Sequence, residues 1–236
     1  MSRLKTGDRE TKRNKYINRR KVFRMLINHP VILVNLFYSM ILRVFLGLNP
    51  FKPLQLVVDW RSRVKRKGNA KVNINGQLFV GGRYITNLSS SSANVVVFPG
   101  GQLEINGRVK LGPGVQIVVA KGGKLVINDC TYITADAKIF CSSEIIIGRN
   151  TAISWGTSII DSDFHKLFYK GKKDFPEKIK IGDHVWIGCN STILKGTTIE
   201  DNSVIAAGAT ITKDVPSNVL VAGNPAKVVK KDVMWI

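Results

Sequence analysis

Between residues 181 and 216 the chain divides into six consecutive hexads, and isoleucine opens every one, at 181, 187, 193, 199, 205 and 211. The fifth place is always small or β-branched: Val185, Ser191, Thr197, Ser203, Ala209 and Val215. A period of six fits neither an amphipathic helix nor an alternating strand. It fits a β-solenoid, in which each hexad supplies a short strand and a corner. The opening aliphatic points inward and stacks on its equivalent one coil away. The small fifth residue faces the cramped interior, and Gly, Asn and Asp tolerate the corner backbone. The same phase appears upstream at Ile147, Ile153 and Ile159, and a second register runs through Ile127, Ile133, Ile139 and Ile145. Residues 72–130 are looser in pattern and read as earlier coils with irregular corners. Serine-rich Leu88–Ala93 reads as a loop or corner. Six unbroken matches set an ordinary β-sandwich aside.

The repeat breaks once. Ile159 to Ile181 spans 22 residues, which is not a multiple of six, so a loop over 161–180 leaves the coil. In a regular solenoid an excursion is where function tends to sit. This one carries Asp161, Asp163 and His165. A neutral imidazole is well matched to accept a proton near pH 7. Either aspartate suits orienting that ring or binding hydroxyl groups, and either equally suits shaping the turn through side-chain to backbone bonds.

The front of the chain has another character. Residues 1–71 carry 18 Lys/Arg against 3 Asp/Glu, whereas residues 72–236 carry 18 against 13. We therefore expect a basic helical extension over 1–68 and a solenoid over 69–236. Within the extension, Pro30–Leu48 is almost wholly apolar, with Pro30 suited to a first helical turn and Asn49-Pro50 to a stop. It is short for a membrane span and contains Arg43. Asn28, Asn35, Ser39, Arg43 and Gly47 fall on one stripe. A wide apolar face, a narrow polar stripe and basic flanks describe a helix lying in a membrane interface and drawn to anionic lipids. A helix packed on the solenoid is the alternative. Nucleic acid is disfavoured, because a phosphate-binding surface has no use for the apolar run. No small-x-small cleavage site follows the run, which argues against a secretory signal. Three cysteines without framework spacing suggest a reducing compartment. The expected location is cytoplasmic, peripheral on the inner face of the membrane.

Three segments carry a resemblance to a known family: Asp161-Ser-Asp-Phe-His165, the Ile181–Pro216 hexads with Val185-Trp-Ile-Gly188, and Ala222-Gly-Asn-Pro-Ala-Lys227. Over about residues 125–230 the chain resembles the hexapeptide-repeat acyltransferases. It looks most like their sugar O-acetyltransferase branch, which includes maltose and galactoside acetyltransferases and enzymes of bacterial surface polysaccharides. The resemblance implies a left-handed parallel β-helix, a homotrimer with sites between protomers, and acetyl-CoA as acyl donor. It implies His165 as general base, the backbone N–H of Cys189 as oxyanion donor, and Trp186 at the acceptor. Ala207 falls where the pantetheine arm runs, Thr212 and Lys213 near the nucleotide end, and Lys227 at the phosphates. Where the family places an acceptor-binding Asn, this chain has Thr134, with Asp136 next on that corner, so a different acceptor is implied.

The function expected is therefore O-acetylation of a sugar hydroxyl on a surface-polysaccharide or glycolipid precursor, with no metal required. The same fold hosts zinc hydratases, but those need three histidines on one metal. Here His29 lies in the front segment and His184 on a corner. The competing readings are N-acylation of an amino sugar, transfer of another acyl group, and a non-catalytic membrane-bound solenoid scaffold.

Overall fold

The computed structural model describes residues 30–82, 89–165 and 177–236. The basic run over 3–24, Asn28, His29, Leu88 and most of the 161–180 excursion therefore lie outside the described residues. From Leu56 onward the chain winds as a parallel β-solenoid with three faces. Leu56–Val58 opens the first face, Arg63–Arg66 the second, and Lys71–Val80 the third. Lys71–Val80 and Gln102–Leu111 each run unbroken through the third face and around a corner onto the first. At that corner Gly76 lies against Gly107, and a Cβ on Gly76 would sit 2.2 Å from the Gly107 carbonyl oxygen. The ladders form a 13-stranded sheet over the first and third faces and a seven-stranded sheet on the second.

Pairing between coils is in register, and this is what the hexad encodes. Ile133, Ile153, Ile187 and Ile205 stack on the first face. Ile117, Ile139, Ile159, Ile193 and Ile211 stack on the second. Ile105, Ile127, Ile147, Ile181 and Ile199 stack on the third. All are buried, as are the fifth-place residues Val185, Ser191, Thr197, Ser203, Ala209 and Val215. The two sequence registers are thus one set of columns. The fourth place takes the left-handed backbone at His184, Asn190, Gly196, Asn202 and Gly208, with φ between 54° and 72°. Burying one isoleucine side chain contributes about 1.5–3 kcal/mol, so these columns dominate the stability of the domain.

The structure moves the domain boundary. The parallel ladder begins at Leu56, ahead of the junction expected at 68/69. In Arg63–Arg66 only Val64 is buried, so the outward basic residues hide a strand inside what reads as a charge run.

Helix α1, Pro30–Leu46, covers the open edge of this first coil. Its polar stripe faces inward. Asn35, Ser39 and Arg43 are buried, and each meets backbone groups in or beside the first strand, which has no preceding coil to satisfy them. Asn35 Oδ1 accepts from the Trp60 N–H at 2.8 Å and Ser39 Oγ from the Val58 N–H at 2.8 Å. Arg43 donates to the Leu56 carbonyl at 2.9 Å and also to Pro53 and Pro50. Four helical residues advance about 6 Å, close to the roughly 6.6 Å of two strand residues, so one stripe serves one strand edge. The helix ends in a Schellman motif: Gly47 has φ 75°, its N–H donates to Val44, and the Leu48 N–H donates to Arg43. The stripe that reads as water-facing is thus an edge cap, as in the packed-helix alternative, and the apolar face is left outside. A hydrophobic pattern fixes the phase of two faces but not which one meets protein.

Candidate active site

The 161–180 excursion springs from the edge between the second and third faces, after Ser158–Ile160 and before Ile179–Ile181. Asp161 is its anchor. The carboxylate is fully buried and accepts from the Ser142 N–H at 2.8 and 2.9 Å, the Ser142 hydroxyl at 3.0 Å and the Ser143 N–H at 2.7 Å. Its own carbonyl accepts the Glu177 N–H at 3.1 Å, which closes the neck of the loop. Both oxygens are thus engaged with the preceding coil, away from solvent. Of the roles open to Asp161 in the sequence, this geometry is that of turn-shaping. Asp163 pairs with Lys195 Nζ at 2.8 Å, one coil ahead, and its carbonyl accepts the His165 N–H at 2.7 Å. Phe164, with φ 60°, lays its ring against Phe140 at 4.4 Å. His165 itself is exposed, and residues 166–176 lie outside the described residues.

Buried Cys141 adjoins Asp161, and its thiol is pushed up to about 12 by burial and then by the aspartate's charge. Folding thus raises this group above its ordinary 9.0. Its stabilising contribution is complete below about pH 9 and is lost as pH climbs toward 12. We expect a thiol reagent at pH 8 to modify Cys130 and Cys189 in the folded protein and Cys141 only after denaturation, as peptide mass mapping would read.

The edge between the first and second faces carries the other group of residues. Here Ala135, Trp155, Cys189 and Ala207 occupy equivalent places, set by the Ile133–Ile153–Ile187–Ile205 column. The Gly188 N–H donates to Ile205 and the Asn190 N–H to Trp155. Between them the Cys189 N–H has no acceptor among the described residues. The Ala207 N–H, between donors Ala206 and Gly208, is in the same condition. A Cβ added to Gly208 would meet nothing within 4 Å, so the strip beside Ala207 is open. Unpaired amide donors along an open strip suit an acyl chain and a developing oxyanion. This property belongs to the corner place in general. What singles out Cys189 is its position after Trp186-Ile-Gly188.

Trp186 stands on the first face, 43% exposed, with its indole N–H 3.4 Å from Ser154 Oγ. Two further tryptophans lie near these residues and were not signalled as functional. Trp155, 44% exposed, shares the Cys189 column and was findable by laying Ile153-Ser-Trp-Gly-Thr-Ser158 against the later hexads. Trp235, past the repeat, stacks on His184 at 4.3 Å and stands 6.2 Å from Trp186, and no local pattern predicts that. Thr134 is 6% exposed, and its buried hydroxyl has no partner among the described residues. It occupies the tight second place that Gly188 fills in a later coil. Neighbouring Asp136 accepts from Ser89 Oγ at 2.8 Å. Thr212 and Lys213 are exposed on the His165 edge, where Lys213 follows Lys195 by one coil. Lys227 is exposed on the closing hairpin, opposite Ala222. Within one chain, then, His165, Thr212 and Lys213 stand on one edge and Cys189 and Ala207 on another, with the second face between them.

A sequence model described as bacterial transferase hexapeptide (six repeats) matches residues 178–213. An uncharacterized 24.8 kDa protein in the cps region of Klebsiella pneumoniae is 32% identical over 176 residues, 73% of this chain and 78% of that one. The polysialic acid O-acetyltransferase of Escherichia coli O1:K1 / APEC is 32% identical over 123 residues, 50% of this chain and 40% of that one. The chain thus spans more than two thirds of the first relative and well under two thirds of the second. Among solved structures, the polySia-specific acetyltransferase NeuO superposes with a TM-score of 0.57 at 28% identity, covering 73% of this chain and 83% of that one.

Proposed function

Since this chain belongs to the bacterial hexapeptide-repeat transferase family, we propose that it transfers the acetyl group of acetyl-CoA to a sugar hydroxyl. The acceptor is a surface-polysaccharide or glycolipid precursor, and the product is an O-acetyl ester. The observation that carries this reading is the pair of edges: an exposed histidine on a pinned loop at one, and amides with no acceptor among the described residues on an open strip at the other. The names of the relatives, a polysialic acid O-acetyltransferase and a polySia-specific acetyltransferase among them, support it.

The chemistry follows from those groups. A ring nitrogen of His165 takes the proton of the acceptor hydroxyl. The oxygen attacks the thioester carbonyl carbon, and the charge that develops on the carbonyl oxygen is met by the Cys189 N–H. The carbon–sulfur bond then breaks, and the leaving thiolate takes the proton from the imidazolium. Asp163 positions His165 by holding its N–H and by pairing with Lys195. Trp186 presents its ring to the sugar. The donor's acyl arm lies by Ala207, with Thr212, Lys213 and Lys227 toward its phosphates. We take the solenoid as left-handed and the working unit as a homotrimer. His165 of one protomer then faces Cys189 and Trp186 of its neighbour, which accounts for their lying on different edges of one chain. Lipid-linked precursors and acetyl-CoA meet at the inner face of the membrane, so we place the protein there, in the cytoplasm.

Calorimetry with acetyl-CoA tests the donor site. We expect binding in the micromolar range and at least tenfold weaker binding for Lys213→Glu, because the reversed charge meets phosphate. Acceptors are then screened by mass, and a product stable to mild base would mean an amide and overturn O-acetylation. No donor binding up to millimolar, by protein shown to be folded, would favour a non-catalytic scaffold.

A further inference from the structure

We infer that the outer side of α1 and the basic row beside it form one surface that seats on an anionic lipid bilayer. The helix is docked by its polar stripe, so its apolar residues have no route inward. Leu33, Val34, Phe37, Ile41, Val44 and Phe45 are 38–73% exposed. Contiguous apolar surface of this kind marks an interaction site. Rotating the helix to hide it would strand Arg43 and the backbone groups of Leu56, Val58 and Trp60.

The surface is rimmed by cations. Arg61, Arg63, Lys65 and Lys67 line one groove along the first coil, with Ser92, Asn94 and Gln116 on its other side. Trp60, held to Asn35 of the helix and itself exposed, joins the two parts: the Arg61 guanidinium lies 5.9 Å from its ring. Asp59, which bridges Arg61 at 3.3 Å, is the acidic group recorded at this row, and α1 contains no acid. In sequence, residues 3–24, which lie outside the described residues, contain ten Lys/Arg against two acids.

Charge and apolarity together choose the occupant. A second copy meeting this surface across a two-fold axis would set the same cations against each other. A soluble polyanion would use the cations and leave the apolar face in water. A bilayer interface takes both, with headgroup charge at the rim and acyl chains under the helix. The helix lies flat, because 17 residues extend only about 25 Å, and no helix among the described residues is long and apolar enough to cross a membrane. This surface belongs to the first coil and does not rest on the transferase reading.

The test is co-sedimentation of the full chain with vesicles of phosphatidylglycerol and phosphatidylcholine, or of phosphatidylcholine alone. Two double variants are compared with wild type, Phe37→Glu/Phe45→Glu and Arg63→Glu/Lys65→Glu, each first shown by thermal melting to be folded. We expect at least tenfold stronger partitioning onto the anionic vesicles, weakened at least tenfold by 0.5 M salt and by either double variant. Equal partitioning onto both vesicle types, or none, overturns the proposal. So does an unchanged affinity for Phe37→Glu/Phe45→Glu, which would leave a purely electrostatic site for a soluble polyanion. Loss of a larger assembly in that variant, on a sizing column and without vesicle binding by wild type, would assign the face to a second copy.

Discussion

Replacing His165 by alanine is expected to lower kcat for acetyl transfer by about 10²–10⁴-fold, the usual worth of a positioned general base. Acetyl-CoA affinity and Tm should be unchanged. The side chain is exposed, and its recorded bond is a backbone one, from its N–H to the Asp163 carbonyl, which alanine also makes. Among the described residues, no contact to the ring supports the coil. A stopped assay that follows free CoA against any acceptor the wild type esterifies would read the loss, and calorimetry would read the intact donor site. Full activity in His165→Ala would remove the base from this loop. Loss of donor affinity in step with kcat would instead make His165 part of the binding site.

The fold was legible because period and packing are the same fact here. An isoleucine every six residues can be buried together only if six residues make one side of a coil. The place of the functional loop was legible for the same reason, since a step of 22 positions from Ile159 to Ile181 cannot be absorbed by hexads. Three things were not legible. The first coil is written in arginine and lysine, and Val64 alone is too little alternation to reveal a strand. The facing of α1 depends on the unpaired edge of Leu56–Val58, a property of the solenoid end that no helix pattern contains. The burial of Thr134 and of Asp161 is the third, because position along the chain does not say that a side chain is buried. In both cases the burial follows from the coil next door: Gly112 lies against the Thr134 backbone, and Ser142 and Ser143 turn their N–H groups on Asp161.

Asp161→Ala should give the opposite signature from His165→Ala, although only four positions separate them. The substitution removes a buried carboxylate and strands the Ser142 N–H, the Ser143 N–H and the Ser142 hydroxyl, all of which it serves. A stranded buried donor costs about 1–3 kcal/mol. Water admitted to the gap recovers part of that, so we expect a net loss of about 3–5 kcal/mol. For a domain of this size that corresponds to a fall in Tm of roughly 6–20 °C. Calorimetric or circular-dichroism melting would measure it. Asp161→Asn should recover part of the loss, because the amide oxygen still accepts while its NH2 meets donors rather than acceptors. Activity should fall through the loop, with KM and kcat changing together, since Asp161 closes the neck that presents His165. A variant as stable as wild type but inactive would return Asp161 to the reacting groups and place its carboxylate, in the working assembly, against the imidazole or the sugar.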